Sequence, residues 1–248
     1  HVATREELGW AETPGHLKPF YAFEQHSLLE LEPPVHTRLR SLVNRSFLSR
    51  QVERLRPAIT SLSNGLLDRI EAKGEADLLT EFATPIPVIV ICDLLGVPAD
   101  MAQQLLTWSH DMVAMYMHGR TREHELQAAK SAREFSDFIR AESRSRIGTD
   151  KDDLLTMLAE AGANGEKLTE DELVSTAILL LNAGHEATVH QTGNAVKTIL
   201  QSGRDIRELF SNDKAAEETV EETLRFDAPL HMFTRYVYRP TEIADGIA

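Results

Sequence analysis

The feature that most constrains the fold is one long predicted helix in the last third of the chain. Thr169 and Glu172 have the spacing of a capping box, in which each side chain hydrogen-bonds the backbone N–H of the other at a helix start. Apolar residues continue from there to Leu200, and Gly203 provides a stop signal. At 1.5 Å per residue this helix would be about 50 Å long, enough to traverse a whole domain.

Helical patterns also dominate the rest of the chain, after an amino-terminal stretch that ends at Pro33 and Pro34 and is predicted to be loop-like. Further helices are predicted at residues 34–47, 52–70, 85–95, 101–117, 123–147, 154–160 and 215–226. Gly74 is predicted to end the helix at 52–70, and Gly96 the helix at 85–95. Two β-prone segments, residues 233–238 and 241–244, predict a pair of strands near the end. We therefore predict a mainly α fold with a small β part, and a single domain over residues 1–248 with no internal boundary.

The composition is that of a soluble globular protein. Hydrophobic residues make up 42% of the 248 residues and charged residues 26%. No apolar run is long enough to cross a bilayer, and no charged-then-apolar leader stands at the start, so we expect a cytoplasmic protein without a membrane partner. The net charge of −13 argues against nucleic acid as a partner, because binding phosphates requires surplus Lys and Arg.

One segment runs against this acidic balance. Between His36 and Arg56 there are six arginines and a single acid, Glu53. The arginines are Arg38, Arg40, Arg45, Arg50, Arg54 and Arg56. They form either an ordinary solvated helix face or a positive patch suited to an anionic ligand or an acidic partner.

The middle of the long helix carries the most informative motif. Residues 183–188 read Ala-Gly-His-Glu-Ala-Thr. A glycine inside a helix costs about 1 kcal/mol relative to alanine, so Gly184 indicates close packing or the close approach of a ligand. A zinc-protease site is excluded, because His185 and His190 are five residues apart and their rings would point about 140° apart around the helix. A buried helix kink with satisfied polar groups is the alternative interpretation.

Two further patterns flank this helix. His36 and Arg40, just after the double proline, project from one side of a helix and would suit a pair of carboxylates. Glu222 and Arg225 are three residues apart on one helix face and can form an ion pair, although such a pair arises easily by chance.

In this order and at these separations, the motifs resemble those of the bacterial-type soluble cytochrome P450 family. Four segments match the family's sequence motifs. They are Pro-Pro-x-His-x-x-x-Arg at residues 33–40, the central-helix motif at 183–188, Glu222-x-x-Arg225, and Arg235 in Met-Phe-Thr-Arg. Pro-Ile-Pro-Val at 85–88, Asp-Leu-Leu-Gly-Val-Pro at 93–98 and Asp-Asp-Leu-Leu at 152–155 agree with the family pattern. The resemblance runs from about Ser27 to Ala248.

The resemblance implies a haem-thiolate monooxygenase that inserts one oxygen atom into an organic substrate. It implies haem b as cofactor and a ferredoxin-type electron donor. The apolar residues near Met112 indicate a lipophilic substrate, or they belong to the core. The implied roles are propionate contacts for His36, Arg40 and Arg235, close approach of the haem at Ala183 and Gly184, and proton delivery by Glu186 and Thr188. Glu222 and Arg225 would form a buried structural ion pair.

The chain departs from the family pattern in two respects. The family's cysteine ligand to iron lies beyond the Glu222 motif, and the chain ends before it. We therefore expect an incomplete fold that is inactive alone, and the segment with the ligand is either truncated or part of a longer protein. Cys92 is predicted to be a buried thiol in an apolar helix, so no metal ligand is assigned in this chain. Ala187 also stands where the family usually has threonine, and Thr188 is turned about 100° further around the helix.

Two alternatives from other functional classes remain. A haem-free, all-helical ligand-binding or interaction fragment would give a featureless visible spectrum. A DNA-binding regulator would need a compact basic recognition helix, but the arginines between Arg38 and Arg56 are scattered among apolar residues and show no helix-turn-helix pattern.

Overall fold

The structure is a computed structural model that describes residues 12–46, 49–160 and 168–232, without the side chains of 45–52. In these ranges the chain forms ten α-helices and no strand. The helices are α1 (Lys18–Glu24), α2 (Val35–Ser46), α3 (Ser49–Lys73), α4 (Pro85–Leu95), α5 (Ala102–Val113), α6 (Arg122–Arg146), α7 (Leu154–Glu160), α8 (Glu170–Gln201), α9 (Ile206–Leu209) and α10 (Asp213–Phe226). The predicted strands at 233–238 and 241–244, together with Arg235, lie outside the described residues.

Helix α8 is the central element, as its length predicted. It contacts α1, α4, α5, α6, α7 and α10. Ile178 and Leu181 on α8 are fully buried, as are Leu95 on α4, Phe135 on α6 and Leu155 on α7. Because full burial of one such side chain contributes about 1.5–3 kcal/mol, this layer of helices around α8 forms the main core.

The predicted helix stops are confirmed where glycine supplies them. Gly74, Gly96 and Gly203 follow α3, α4 and the end of α8 with φ values of 85°, 77° and 68°, a left-handed conformation that glycine adopts without steric cost. The helix predicted over residues 101–117 is confirmed as α5, but it ends earlier than predicted. Helix α5 ends at Val113, and a 3₁₀ turn at Ala114–Tyr116 follows it.

The loop predicted before Pro33 is also wrong in part. Helix α1 lies within it, with Pro19 in its first turn, where the missing N–H costs nothing. Phe20 and Phe23 are buried, so tertiary packing of two aromatic rings stabilises a helix that is too short to persist alone. Glu24, at its end, is also buried and accepts a hydrogen bond of 2.5 Å from the hydroxyl of Tyr116.

A buried arginine joins the end of α6 to α7. Arg146 is 2% exposed, and its Nε and Nη1 atoms lie 3.3 Å from Asp153 Oδ2 and 2.7 Å from Glu142 Oε2. Its Nη2 donates to the carbonyl of Gly96, which ends α4. Asp153 in turn accepts from the backbone N–H and the hydroxyl of Thr156, both at 2.8 Å, and so caps α7. We call this group of residues the Arg146 cluster.

None of the helices in the described part of the chain is both long enough and apolar enough to span a bilayer.

Candidate functional site

The capping box at the start of α8 is confirmed and is tied to α2. The backbone N–H of Thr169 donates to Glu172 Oε2 at 2.9 Å, and the N–H of Glu172 donates to Thr169 Oγ1 at 3.2 Å. Arg38 on α2 forms an ion pair with the same glutamate. Burial alone would raise the pKa of Glu172, but the hydrogen bonds from Thr169 and the charge of Arg38 together lower it. The carboxylate therefore fixes both the first turn of α8 and its contact with α2.

The middle of α8 has one buried and one open side. His185 and Val189 are buried with Leu181 against the core. Ala183 and Gly184 are exposed, and Glu186 and Ala187 are half-buried. A Cβ added to Gly184 would meet only Ile91 Cδ1, at an ordinary contact distance of 3.6 Å. Packing within the described chain therefore does not require glycine at this position.

The hydroxyl of Thr188 is already engaged with the helix backbone. Thr188 is exposed, and its Oγ1 donates to the carbonyl of Gly184 at 3.1 Å. Thr192 repeats the arrangement one turn later, donating to the carbonyl of Thr188 at 2.8 Å. Such bonds from a threonine to the carbonyl four residues earlier often bend helices. As placed, the Thr188 hydroxyl can accept a further hydrogen bond, while its proton is directed to the backbone.

The α2 residues that the sequence pointed to differ in their exposure and in their ion pairs. His36 is half-buried and Arg40 is exposed. Arg40 has no ion pair with any residue that the structure describes, whereas Arg38 is paired with Glu172. Arg54 and Arg56 are paired with Asp152 and Glu53 at 3.0 and 3.3 Å, and the side chains of Arg45 and Arg50 are not described. Three of the four described arginines of the patch are therefore paired, and Arg40 is the free cation among them.

The structure does not bring the α2 residues and the small pair of α8 into contact. Helix α2 meets α8 at Glu172, near its first turn. Gly184 lies about 18 Å further along the helix axis, at 1.5 Å per residue. Only a large ligand could touch Arg40 and Gly184 at once.

The Glu222–Arg225 pair forms, but it is exposed. The Nε and Nη2 atoms of Arg225 each lie 2.7 Å from a Glu222 carboxylate oxygen. Among the described residues, the Arg225 side chain is 69% exposed and that of Glu222 is 60% exposed. The burial that the resemblance implies for this pair stays a prediction. Helix α10 is attached to α8 by other residues. The amide of Gln191 donates to Thr223 Oγ1 at 3.3 Å, and that of Asn194 donates to the carbonyl of Asp227 at 3.0 Å.

Cys92 is a core residue. It lies in α4, is 1% exposed and is surrounded by buried apolar side chains. Burial raises the pKa of the Cys92 thiol to about 11, so the thiol stays neutral at physiological pH. A neutral buried thiol is not a metal ligand, since metals bind the thiolate.

Two histidines, one on α5 and one on α8, form a contact that the sequence did not predict. The Nε2 atoms of His110 and His185 lie 3.4 Å apart, and the ring centroids lie 5.3 Å apart. Burial and the neighbouring His110 lower the pKa of His185 to about 4. The two residues are 75 positions apart, so no local pattern could have revealed the contact. Nowhere in the described ranges do three or more His, Cys, Asp or Glu side chains form a cluster that could hold a metal ion.

The chain is similar to several curated bacterial proteins. It is 38% identical over 203 residues to cytochrome P450 107B1 of Saccharopolyspora erythraea, covering 82% of this chain and 48% of the relative. It is 39% identical over 204 residues to the vitamin D(3) 25-hydroxylase of Pseudonocardia autotrophica, covering 82% and 49%. It is 34% identical over 241 residues to the monooxygenase PikC of Streptomyces venezuelae, covering 96% and 56%. The chain thus spans about half the length of the curated relatives it matches. No family model matches the chain.

Solved structures agree with these sequence matches. The crystal structure of P450BioI in complex with acyl carrier protein ligated to hexadec-9Z-enoic acid superposes with a TM-score of 0.80 at 29% identity, covering 87% of this chain and 56% of that one. The cytochrome P450 PksS of Bacillus subtilis superposes with a TM-score of 0.76 at 34% identity, covering 86% and 53%. The order of the helices around α8 is therefore shared with the matching half of those proteins.

Proposed function

This chain belongs to the bacterial cytochrome P450 family, and on that premise we propose that the intact protein is a haem-thiolate monooxygenase that inserts one oxygen atom of O₂ into an organic, lipophilic substrate. The observation that carries the proposal is the open side of α8, where Ala183 and Gly184 expose a small-residue surface on an otherwise core-forming helix. The cofactor would be haem b.

The residues in this chain fit part of a haem site. Gly184 has room for a Cβ on the side of Ile91, so its lack of a side chain serves something other than packing within the described chain. A flat ligand lying against the helix would explain the glycine, because only small residues let such a ligand approach the backbone closely. Arg40 is an exposed cation without an ion pair among the described residues, which suits a propionate carboxylate. Cys92 does not fit the thiolate ligand, because it is buried and neutral.

We assign roles to the chain's own residues as follows. Ala183 and Gly184 let the haem lie against α8, while His36, Arg40 and Arg235 bind its propionates. When bound, the haem supplies the binding and activation of oxygen, which is the chemistry of the cofactor rather than of the protein. Glu186 is half-buried at the edge of the open side and can carry a proton between solvent and the site.

Thr188 has a narrower role in this proposal. Its proton is directed to the carbonyl of Gly184, so its oxygen acts as a hydrogen-bond acceptor that orders water beside Glu186. Ala187 supplies no hydroxyl at the position where the family usually has one. Proton delivery therefore depends on Glu186 and ordered water more than it would with a threonine at 187.

The proposed partners are a small organic substrate and a ferredoxin-type electron donor. One relative is named as a vitamin D(3) hydroxylase, and one structural neighbour binds a hexadecenoic acid attached to acyl carrier protein, which supports a lipophilic substrate class. Met112 and Met115 are 1% and 3% exposed and belong to the core, so these two residues do not support a lipophilic substrate. Among the described arginines of the patch, Arg40 is the one that is available to an acidic donor if it is not occupied by a propionate.

The test is haem content and spectrum of the intact protein. We expect a Soret band and, after reduction under carbon monoxide, the difference band of a thiolate-ligated haem. Gly184→Leu should lower the haem bound per protein several-fold, because a leucine on the open side of α8 occupies the space of the flat ligand. Gly65→Leu, in α3 with nothing within 4 Å of an added Cβ, is the matched control and should retain haem. A featureless spectrum from well-folded protein would instead support a haem-free binding or interaction protein.

A further inference from the structure

The contact between His110 and His185 is long for a hydrogen bond. The Nε2 atoms are 3.4 Å apart, beyond the usual range of about 2.7–3.2 Å for a hydrogen bond donated by nitrogen. A linear contact of that length would also separate the ring centroids by about 5.7 Å, given that each ring nitrogen lies about 1.15 Å from its centroid. The observed centroid separation is 5.3 Å, so the rings are tilted away from the line that joins the two nitrogens.

The same two distances match a pair of ligands on one tetrahedral metal ion. With zinc–nitrogen bonds of about 2.0–2.1 Å, two tetrahedral ligands place their nitrogens about 3.3–3.4 Å apart and their ring centroids about 5.2 Å apart. Two adjacent ligands of an octahedral ion with similar bonds would place the nitrogens only about 2.8–3.0 Å apart. The observed distances of 3.4 and 5.3 Å therefore agree with the tetrahedral arrangement.

The surroundings of the pair suit such a site. His185 is 1% exposed and His110 is exposed, so one ligand is fixed in the core and the other is open to water.

Three buried polar atoms within three residues of the pair in the sequence have no hydrogen-bond partner among the described residues. They are His185 Nδ1, Asn182 Oδ1 and Ser109 Oγ. Asn182 stands one helical turn before His185, and Ser109 is the neighbour of His110 in the sequence. Unsatisfied buried polar groups are rare in native proteins, and those beside an ion can hydrogen-bond to the water molecules that it carries.

We propose that His110 and His185 bind a divalent transition-metal ion, with Zn²⁺ as the best fit, and that solvent completes its tetrahedral coordination. Imidazole ligands select zinc and its neighbours over magnesium and calcium, which require oxygen ligands. The ion ties α5 to α8 one residue away from Gly184. Because it binds only where the two helices meet, it stabilises the folded state. This proposal is independent of the haem proposal, since neither histidine is assigned to the cofactor.

The experiment is a calorimetric titration of the purified protein with Zn²⁺, in a buffer that does not coordinate metals and with any bound cofactor retained. The expected result is one site per chain and an unfolding midpoint that rises with the zinc concentration. His110→Ala removes an exposed side chain and should fold normally, yet it should weaken binding at that site by about tenfold or more.

The matched control is His190→Ala. His190 is exposed on the same helix, five residues beyond His185, and is not part of the pair, so its removal should leave zinc affinity unchanged. Mg²⁺ should give no binding heat at the same concentrations. If wild-type protein shows no one-to-one site, or if His110→Ala binds zinc as tightly as wild type, the proposal is wrong. Equal weakening by His190→Ala would likewise overturn it, by showing diffuse binding to surface histidines.

Discussion

Two ion pairs of this protein have the same contact distance and opposite surroundings. Arg146 lies 2.7 Å from Glu142 and is 2% exposed, while Arg225 lies 2.7 Å from Glu222 and is 69% exposed. The guanidinium of Arg146 uses all three of its nitrogens, on Asp153, Glu142 and the carbonyl of Gly96. Distance alone therefore does not rank ion pairs by their contribution to stability, because the cost of removing a partner depends on whether water can replace it.

The Arg146 cluster also connects more of the fold than the α10 pair does. It joins the end of α6 to the first turn of α7 and to the glycine that ends α4. Glu222 and Arg225 belong to one helix and are three residues apart, so their pair connects α10 only to itself. The buried cluster is therefore expected to be a determinant of stability, and the exposed pair is not.

The largest expected effect is that of Arg146→Met. Methionine fills a similar volume but leaves the nearly buried Asp153 without its cation, which costs about 3–5 kcal/mol in the free energy of unfolding. Urea denaturation of wild type and variant measures this difference. The double variant Arg146→Met/Asp153→Asn should recover part of the loss, because no unpaired charge then remains. An equal loss in the single and double variants would show that packing, not charge, is what Arg146 contributes.

Gly96→Ala tests the same cluster from the backbone side. A Cβ at Gly96 would lie 2.1 Å from Asp153 Oδ2, and the residue has a φ of 77°, so alanine adds a steric clash to backbone strain. We expect a loss of about 2–4 kcal/mol from these two costs together. Gly74→Ala is the matched control, because φ is 85° there and nothing lies within 4 Å of an added Cβ. It should cost only about 1–2 kcal/mol, the strain of the left-handed conformation alone, and equal losses at both sites would refute the steric contribution.

Glu24 extends the comparison to a buried acid that has a phenol rather than a cation for a partner. Burial raises the pKa of Glu24 to about 7, although the hydrogen bond from Tyr116 lowers it in part, and the charge of Glu30 raises it further. The folded protein therefore holds this proton up to a higher pH than the unfolded chain does. The stability that it contributes is complete below about pH 4.5 and is lost as the pH rises through about 7.

Glu24→Gln should remove this pH dependence. Between pH 4.5 and 7 the unfolding free energy of wild type should fall relative to that of the variant by up to about 1.4 kcal/mol per pH unit. Thermal or urea unfolding of both proteins across this range measures the difference. Tyr116→Phe removes the hydrogen bond that lowers the pKa, so it should shift the wild-type transition to higher pH. Parallel pH profiles for wild type and Glu24→Gln would contradict the assignment.

The sequence predicted those features that depend on local chemistry. The capping box at Thr169 and Glu172 and the glycine stops at Gly74, Gly96 and Gly203 require only neighbouring residues, and all are confirmed. Family membership was also predicted, but from the order of the motifs along the chain and not from local chemistry. The α1 helix was missed because its stability comes from burying Phe20 and Phe23 against distant helices.

The sequence predicted local contacts in the candidate site, but it did not predict which residues are buried or which distant residues pair. Asp152 and Asp153 are adjacent and chemically identical, yet Asp152 is 75% exposed and Asp153 belongs to the Arg146 cluster. The spacing of Glu222 and Arg225 predicted their contact, but spacing says nothing about exposure. His110 and His185 meet only because α5 packs on α8. Burial and long-range pairing are properties of the folded chain, and no window of sequence contains them.

The smallest expected effect is that of Glu222→Gln, the exposed counterpart of Arg146→Met. Both carboxylate oxygens of Glu222 contact Arg225, and this lowers the pKa of Glu222 through the hydrogen bonds and the charge of that arginine. Water nevertheless reaches both side chains and can replace the lost contacts. We therefore expect the urea midpoint to be unchanged within error and to be insensitive to added salt. Arg225→Gln should behave in the same way. A large loss in the intact protein would show that parts of it beyond the described residues cover the pair, because only removal from water turns this contact into one as costly to break as that of Arg146.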